Sequence, residues 1–314
     1  MIIHLQSPQQ IGTIMKNKCF TAAIVFLLVV SSASAQEESV TDGKAEKVTN
    51  GYKFTEGPFW HAEGYLLFSD IPANTIYKWS PGSMESEIFI KPSDHSNGIV
   101  KDPGGRLILA QHDGKISTIN DNREMVTLAE SFRGKRLNSP NDLAIASDGS
   151  IYFTDPPFGV SESEQELMFS GVYMLKEGEG EPQLLFDGFE TPNGIVLNKD
   201  ETKIYVNDSN SGDIMVFDVT SDGTFENPET FASVGASTDE GGADGMVMDP
   251  RGRLYTTGPG GLYVFSSEGE QLEKIDLPAR ATNMAWGGDD NSTLYITAPS
   301  AIYRLKMKSE GIRK

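Results

Sequence analysis

Six polar residues that each carry a side-chain oxygen recur along the 314-residue chain at related intervals. The separations between them are 41, 44, 52, 51 and 39 residues. They are Glu56, Asn97, Asn141, Asn193, Asp244 and Asn283. This set of two carboxylates and four amides, without histidine or cysteine, suits a hard cation such as Ca²⁺. Zinc, by contrast, normally takes nitrogen or sulfur ligands.

A simpler interpretation is that Asn and Asp often form turns ahead of strands. It explains a single Asn-Gly, but not side-chain oxygens at all six positions. It also does not explain Glu56, a poor turn former that lies in the apolar context FTEGPFW. The combined charge of Glu56 and Asp244 matches a divalent ion, and without an ion the two carboxylates would be unfavourable to bury. The pattern therefore favours a cation site.

Each of the six residues opens one copy of a repeated strand pattern. In the clearest copy, PNDLAIASDGSIYFTD at 140–155, Asn141 is followed by an apolar segment, a glycine turn and a second apolar segment. A third, alternating segment follows in every copy, and a fourth follows in the first five. A repeat of about 45 residues with several short strands is typical of a β-propeller. Because the first strand of each propeller blade lines the central channel, we expect the six residues to lie at one mouth of it.

The two ends of the chain complete this pattern. The sixth copy has no fourth strand, whereas EKVTNGYKF at 46–54 is strand-like but belongs to no copy. Pairing of these ends would close the ring and remove its free edges. Glycine and proline interrupt nearly every window, so no helix competes. The sequence predicts an all-β, six-bladed propeller over residues 47–308, closed by its N- and C-terminal strands, with a tail at 309–314.

The first 35 residues have the character of a signal peptide. An apolar core at 24–30 follows Lys16 and Lys18 and precedes SSASA, which predicts cleavage after Ala35. Met15 begins a conventional start for such a segment and is an alternative initiation site. We therefore expect a secreted or periplasmic protein with no membrane contact after cleavage. The polar residues 36–46 are expected to form a flexible leader.

The charge of the chain excludes one class of partner. The formal net charge is −19, and removal of the two signal-peptide lysines leaves 24 basic against 45 acidic residues, a charge of −21. Nucleic acids are bound by clustered Lys and Arg, so no nucleic-acid partner is expected, whereas a cation is favoured. The sequence does not determine an oligomeric state.

Four sets of segments, taken in order, carry a family resemblance. EGPFW, RLNSPND with IYFTDPPFG, TPNGI with YVND, and ADGM with GGLYVF resemble the gluconolactonase branch of the senescence-marker-protein/gluconolactonase/luciferin-regenerating family, over roughly residues 48–306. The resemblance implies one divalent cation in the channel, with Ca²⁺ favoured and Zn²⁺, Mn²⁺ or Mg²⁺ as alternatives. It implies Glu56, Asn193 and Asp244 as metal ligands. Asn141 is implied as a further ligand, or as a contact to substrate or metal-bound water.

The same resemblance implies that a small-molecule sugar lactone is the substrate. A bound cation would polarise the lactone carbonyl and lower the pKa of its water, and Asp244 is implied as the catalytic proton donor or acceptor. Animal members carry an arginine two residues before the position of Asn141. This chain has Ser139 there, so Arg136 is the candidate replacement.

Two more residues are candidates for substrate binding, each with a structural alternative. Asn138 is either a contact to sugar hydroxyls or a turn residue ahead of Pro140. His112 is either a substrate contact or the end of a second strand. The residues at 157–170 form either a lid over the channel or a surface excursion.

Other functions fit the same pattern, because function depends on the pocket wall rather than on the fold. One alternative is a propeller that binds carbohydrate or protein without catalysis. Another is a hydrolase of phosphotriesters or aryl esters. Three acids that end second strands are interpreted mainly as structural turn acids, namely Asp70, Asp155 and Asp208.

Overall fold

The computed structural model describes residues 39–120 and 122–312. The predicted signal peptide and the first residues of the predicted leader lie outside these ranges. Within them the chain forms short antiparallel strands joined by tight turns, as the alternating apolar segments predict. No helix in the described ranges has the length and apolar character needed to cross a membrane.

The strands follow the chain in groups that each form one antiparallel sheet, or blade. Ahead of the first blade lies β1 (Glu46–Asn50). Blade 1 comprises β2 (Thr55–His61), β3 (Tyr65–Asp70), a 3₁₀ turn (Ile71–Ala73), β4 (Thr75–Trp79) and β5 (Glu87–Ile90). Blade 2 comprises β6 (Ser96–Lys101), β7 (Leu107–Gln111), β8 (Lys115–Ile119) and β9 (Met125–Ala129). A small hairpin follows, formed by β10 (Ser131–Phe132) and β11 (Lys135–Arg136).

The remaining four blades repeat the same order. Blade 3 comprises β12 (Leu143–Ile145), β13 (Ile151–Asp155), β14 (Gly171–Leu175) and β15 (Gln183–Phe186). Blade 4 comprises β16 (Pro192–Leu197), β17 (Lys203–Asp208), β18 (Asp213–Val219) and β19 (Phe225–Ser233). Blade 5 comprises β20 (Met246–Met248), β21 (Leu254–Gly258), β22 (Gly261–Phe265) and β23 (Gln271–Asp276). Blade 6 comprises β24 (Met284–Gly287), β25 (Thr293–Ala298) and β26 (Ala301–Lys306).

The first strand closes the ring as the outer strand of blade 6. β1 pairs antiparallel with β26, with Glu46 opposite Arg304 and Asn50 opposite Ala301. The strand order of this blade is β1-β26-β25-β24. The prediction of a six-bladed β-propeller closed by its two chain ends is confirmed.

Apolar side chains fill the space between neighbouring blades, with one cluster at each junction. Leu67 of blade 1, for example, packs with Ile99 and Leu109 of blade 2. Blades 1 and 6 meet through Trp60, whose indole stacks on the Tyr295 ring with centroids 4.6 Å apart. Burial of each large apolar side chain contributes about 1.5–3 kcal/mol, so this packing holds the inner strands at a fixed distance from the axis.

Glycines allow the inner strands to converge on that axis. Four of the six opening residues are followed directly by glycine, at positions Gly57, Gly98, Gly194 and Gly245. A Cβ atom added to Gly57 would lie 1.8 Å from the Asn97 carbonyl oxygen, and one added to Gly194 would lie 2.2 Å from that of Asp244. Real Cβ atoms do not approach so closely. The backbone of each of these two blades therefore abuts the opening residue of the next.

The prediction of a flexible leader is wrong from residue 39 onward. Val40 is buried and belongs to the apolar cluster between blades 5 and 6. Its N–H donates to Glu273 Oε2 at 2.7 Å, and Thr41 forms a β-bridge with Met307. The prediction rested on the polar composition of the segment, whereas one apolar residue is enough to anchor it.

The described part of the C-terminal tail, residues 309–312, also packs on the propeller. Ser309 Oγ donates to Asp249 Oδ2 at 2.9 Å. Asn291 Nδ2 donates to Gly311 O, and the Gly311 N–H donates to Asn291 O, both at 2.9 Å. The folded unit therefore extends beyond both boundaries drawn from the repeat.

Replacement of Gly194 by alanine should disrupt the convergence of blades 4 and 5. The added methyl group meets backbone that cannot move aside alone, and overpacking of this kind costs about 1–3 kcal/mol. We expect the free energy of unfolding to fall by about that amount in urea denaturation. Gly180→Ala is the matched control, because an added Cβ there meets no atom within 4 Å. Equal stability of the two variants would contradict the tight approach.

Candidate metal centre

The structure brings the six opening residues together at one mouth of the channel, where the inner strands begin. Neighbouring blades are joined there by side chains of second strands, which donate to the carbonyl oxygen of the next opening residue. These bonds run from Ser69 Oγ to Asn97 at 2.8 Å, from Thr154 Oγ1 to Asn193 at 2.7 Å and from Asn207 Nδ2 to Asp244 at 2.6 Å. We call the six residues the oxygen ring.

Three aspartates fix the backbone that leads into the oxygen ring. Asp70, Asp155 and Asp208 each accept backbone N–H groups from the residues two and three positions ahead of the ring residue of their own blade. The donors are Lys53 and Phe54, Asn138 and Ser139, and Glu190 and Thr191 respectively, at 2.7–3.2 Å. The blades concerned are those of Glu56, Asn141 and Asn193. These contacts agree with the interpretation of the three acids as structural.

Two carboxylates in the ring oppose each other. Burial raises the pKa of Glu56 to about 8. The pKa of Asp244 is raised well above its ordinary value, first by burial and then by the charge of Glu56. Neighbouring carboxylates that have lost hydration do not both ionise readily. A divalent cation between them would remove the repulsion and keep both ionised.

Amide oxygens of the ring are available to such a cation. Ser209 Oγ donates its only proton to Ala243 O at 2.7 Å, so it can only accept from Asn193 Nδ2, 2.9 Å away. This orients the Asn193 amide and leaves its Oδ1 buried without a partner in the described ranges. The side chain of Asn141 forms no hydrogen bond within the described ranges, so its oxygen is also free to bind.

Asn283 differs from the other ring amides, because its oxygen is already used. Asn283 Oδ1 accepts the Met284 N–H at 2.7 Å. Its amide N–H groups therefore face the carboxylates of Glu56 and Asp142, where they oppose the rise in pKa that burial causes. Asn283 supports the ring carboxylates rather than offering an oxygen to the axis.

The ring residues fit a divalent cation by their chemistry. Among the described residues, no group of three or more His, Cys, Asp and Glu side chains is arranged to hold a metal ion. A cation here would therefore depend on amide oxygens as well as on carboxylates, which is the mixed oxygen set that Ca²⁺ accepts. Glu56, Asn141, Asn193 and Asp244 are the residues that would hold it, and their assignment as ligands stays a prediction.

Arg136 lies beside the ring and holds backbone. Its Nη1 donates to the carbonyl oxygens of Leu137 and Asn138 at 2.8 and 2.7 Å, and its Nη2 donates to His112 O at 3.2 Å. Three N–H···O bonds of the guanidinium are thus formed with the chain itself. A contact between Arg136 and substrate stays a prediction.

Asn138 joins the ring end of blade 3 to the loop at 157–170. Its Nδ2 donates to Asp155 O at 3.2 Å and to Phe169 O at 2.9 Å, so both amide protons are used. Its Oδ1 is buried without a partner among the described residues. Leu167 is buried and anchors the loop in the core between blades 2 and 3. The loop contains no strand or helix, and its function as a lid stays a prediction.

His112 follows the second strand of blade 2 and is only partly exposed. Its Nε2 lies 3.2 Å from Asn97 Nδ2. Burial lowers the pKa of His112 to about 4, so the imidazole is neutral at physiological pH. The residue thus contacts the oxygen ring, and a contact with substrate stays a prediction.

Two charged residues at the site were not among those predicted. The first is Asp142, whose Oδ1 accepts the Leu143 N–H at 2.9 Å. Burial raises the pKa of Asp142 to about 7. The sequence does distinguish Asp142, because it is a carboxylate at a position where four of the other five copies carry glycine. The charge of Arg280 opposes the rise in the pKa of Asp244. Arg280 lies outside the repeat, and no sequence pattern marks it.

A cavity of about 1370 Å³ opens at the other end of the channel. Its lining comes mainly from the far ends of the inner strands and is rich in apolar side chains such as Trp60 and Val247. It reaches the oxygen ring only near Gly57, Asp142 and Asn283. The oxygen donors and this cavity therefore belong to opposite mouths, and the chemistry is expected at the ring.

Residues 54–300 match the family model described as the SMP-30/Gluconolactonase/LRE-like region. The chain belongs to this family. The family resemblance expected from its motifs is confirmed, and so is the propeller, since other members of the SMP-30/gluconolactonase/LRE-like family share this fold.

Two relatives show how far the similarity extends. The gluconolactonase of Zymomonas mobilis is 34% identical over 293 residues, covering 85% of this chain and 82% of the relative. The solved gluconolactonase of Xanthomonas campestris superposes with a TM-score of 0.75 at 30% identity, covering 84% of this chain and 89% of that one. Both alignments cover more than four fifths of this chain.

A third relative shares the fold at lower identity. A regucalcin from Agrobacterium tumefaciens, a calcium-binding protein, superposes with a TM-score of 0.70 at 18% identity, covering 87% of this chain and 98% of that one. The six-bladed architecture is therefore retained when most residues differ.

Replacement of Asp155 by asparagine should loosen the ring. An amide can accept one of the two backbone N–H groups but turns its own NH₂ toward the other, and an unpaired buried donor costs about 1–3 kcal/mol. We expect a lower free energy of unfolding in urea and weaker Ca²⁺ binding by calorimetry. Asp213→Asn, at an exposed strand position, is the control. Unfolding and Ca²⁺ binding equal to those of Asp213→Asn would refute a positioning role for Asp155.

Proposed function

We propose that this chain is a secreted, metal-dependent lactonase that opens sugar lactones of the gluconolactone type. The single observation that carries the proposal is the pair of mutually repelling carboxylates, Glu56 and Asp244, beside the oriented Asn193 amide, whose oxygen has no partner in the described part of the chain. The gluconolactonases among its relatives support the lactone, and the N-terminal sequence pattern supports secretion. The calcium-binding relative and the all-oxygen donor set support Ca²⁺.

In the proposed mechanism the ring residues have separate tasks. Glu56, Asn141, Asn193 and Asp244 would hold the cation, which when bound polarises the lactone carbonyl and lowers the pKa of water. Asp244 is partly exposed, whereas Glu56 is 3% exposed, so Asp244 is the carboxylate that a substrate can reach. Asp244 would take a proton from the attacking water. As the bond between the lactone carbonyl carbon and the ester oxygen of the lactone breaks, Asp244 would return the proton to that oxygen, which leaves as an alkoxide.

A lactone panel tests the proposal directly. The purified protein is stripped of metal, supplied in turn with Ca²⁺, Zn²⁺, Mn²⁺ or Mg²⁺, and offered several aldonolactones, with acid release as the readout. We expect opening faster than the buffer rate with at least one metal and loss of activity on chelation. Protein with bound metal that opens no aldonolactone faster than buffer would contradict the proposal. Aryl esters and phosphotriesters belong in the same panel, because they test the alternative hydrolase activities.

Replacement of Asp244 by asparagine should abolish most turnover. The variant loses the proton-transfer group and one of two charges at the cation, and general acid–base catalysis alone contributes roughly 10²–10⁴-fold. We expect kcat for gluconolactone to fall by at least about 100-fold. Asp239→Asn, exposed in the same loop, should leave kcat unchanged. Full turnover in Asp244→Asn would contradict the role of Asp244 as the proton-transfer group.

Cation binding should release protons. Since the raised pKa of Glu56 and that of Asp244 favour the protonated forms near neutral pH, a cation must displace protons to bind. The apparent Ca²⁺ affinity should therefore rise as pH increases toward about 8 and fall as pH decreases. Calorimetry in two buffers of different ionisation enthalpy measures the released protons. Equal heats in the two buffers would show that no proton is displaced.

A further inference from the structure

Asn97 is a ring residue to which the family motifs give no role. It opens the inner strand of blade 2, between the ring positions of Glu56 and Asn141. Gly57 abuts its carbonyl oxygen, and the N–H of Gly98 donates to Asn141 O at 2.9 Å. Asn97 is therefore held in backbone contact with the blades that carry two of the predicted ligands.

The side chain of Asn97 has one end bound and one end free. The residue is 2% exposed, and its Nδ2 lies 3.2 Å from His112 Nε2. Its Oδ1 is buried and has no hydrogen-bond partner among the described residues. A buried oxygen left in this state is destabilising, which calls for a ligand that the protein alone does not supply.

Asn283 differs from Asn97 in the state of its amide oxygen. Both residues occupy ring positions without a motif-derived ligand role. The oxygen of Asn283 accepts the Met284 N–H, whereas the oxygen of Asn97 accepts no hydrogen bond from residues that the structure describes. The two amides are thus oriented in opposite ways, with Asn283 directing N–H groups at the ring carboxylates and Asn97 directing its N–H at a histidine.

His112 determines the orientation of the Asn97 amide. An imidazole Nε2 that accepts the Asn97 N–H places the amide oxygen on the side away from the histidine. His112 is itself held, because its carbonyl oxygen accepts from Arg136 Nη2 at 3.2 Å. The hydrogen bonds that link Arg136 to His112 and His112 to Asn97 fix one amide at the ring.

We propose that Asn97 Oδ1 is a further protein oxygen for the divalent cation, and that His112 is the positioning residue that presents it. The inference rests on the cation of the proposed function but not on the lactone chemistry. Ca²⁺ accepts six to eight oxygens, so the four predicted ligands leave room for it. The enclosure of Asn97 Oδ1 favours an ion over a substrate hydroxyl, which would have to reach it from solvent.

Calorimetric titration of the metal-free full chain with Ca²⁺ tests this assignment. Asn97→Leu removes the oxygen at similar volume, and we expect an affinity at least about tenfold weaker, as for loss of other groups that support a metal. Asn97→Asp keeps an oxygen and should retain the affinity. His112→Leu should weaken binding in the same direction, and His112→Gln, which again offers an acceptor, should restore it.

Thr118→Val is the matched control. Thr118 lies in the third strand of the same blade, and its Oγ1 is also buried without a partner among the described residues. It lies outside the oxygen ring, and valine has its shape, so Ca²⁺ affinity should not change. Thermal unfolding of every variant in chelator identifies any that fail to fold. If Asn97→Leu is one of them, the His112→Leu and His112→Gln pair decides the question.

The outcomes separate this inference from the proposed function. Wild-type Ca²⁺ affinity in Asn97→Leu overturns the inference, whether or not activity is retained. Loss of lactone opening with unchanged Ca²⁺ affinity would assign Asn97 to the substrate, so the inference fails while the lactonase stands. If the wild-type protein opens no lactone and Asn97→Leu still binds Ca²⁺ more weakly than the wild type, the inference is supported and only the proposed reaction is overturned.

Discussion

The convergence of six inner strands on one axis is the constraint on which the rest of this structure depends. Glycines bring the backbones of neighbouring blades close enough that an added Cβ atom would overlap a carbonyl group. Side chains at the start of these strands then lie close together. Two of them are carboxylates, and burial raises the pKa of both. The geometry that builds the ring thus also creates a need for positive charge at its centre.

The surrounding fold keeps the oxygen ring in that unfavourable arrangement. Apolar clusters at the blade junctions prevent the inner strands from moving outward. Pairing of β1 with β26 closes the ring, so that no blade can swing away. Asp70, Asp155 and Asp208 hold the backbone just ahead of three ring residues. Residues far from the axis therefore determine where the ring oxygens lie.

Sequence periodicity predicted the parts of this arrangement that repeat. The spacing of Glu56 through Asn283 located the inner strands, and the unmatched segment at 46–54 predicted the closure. Features that occur once could not be predicted in this way, because they leave no periodic pattern in the sequence. The single apolar residue Val40 anchors a segment of polar composition, and Arg280 affects Asp244 from a loop outside the repeat.

Side-chain orientation was also beyond the sequence. Asn97, Asn193 and Asn283 are the same residue at equivalent positions, and the repeat gave all three an oxygen facing the axis. The structure shows different hydrogen-bond partners, namely His112, Ser209 and the Met284 N–H. These partners lie in turns after second strands or in the backbone, so the direction of each amide depends on tertiary contacts. Type and spacing identify the members of such a site, but not which of their atoms face the ligand.

The oxygen ring therefore shows a local conflict with the rules that stabilise the rest of the fold. Elsewhere at the same mouth, carboxylate and amide oxygens have hydrogen-bond partners. Asp208 accepts the Glu190 N–H, and Asn283 Oδ1 accepts the Met284 N–H. In the ring, Glu56 and Asp244 repel each other and Asn193 Oδ1 has no partner among the described residues. Natural sequences retain such conflicts mainly at functional sites. A ligand that binds only the folded state adds stability by mass action, about 4 kcal/mol at a thousand times its Kd. A cation in the ring would thus stabilise the propeller at the place where the protein is least satisfied by itself.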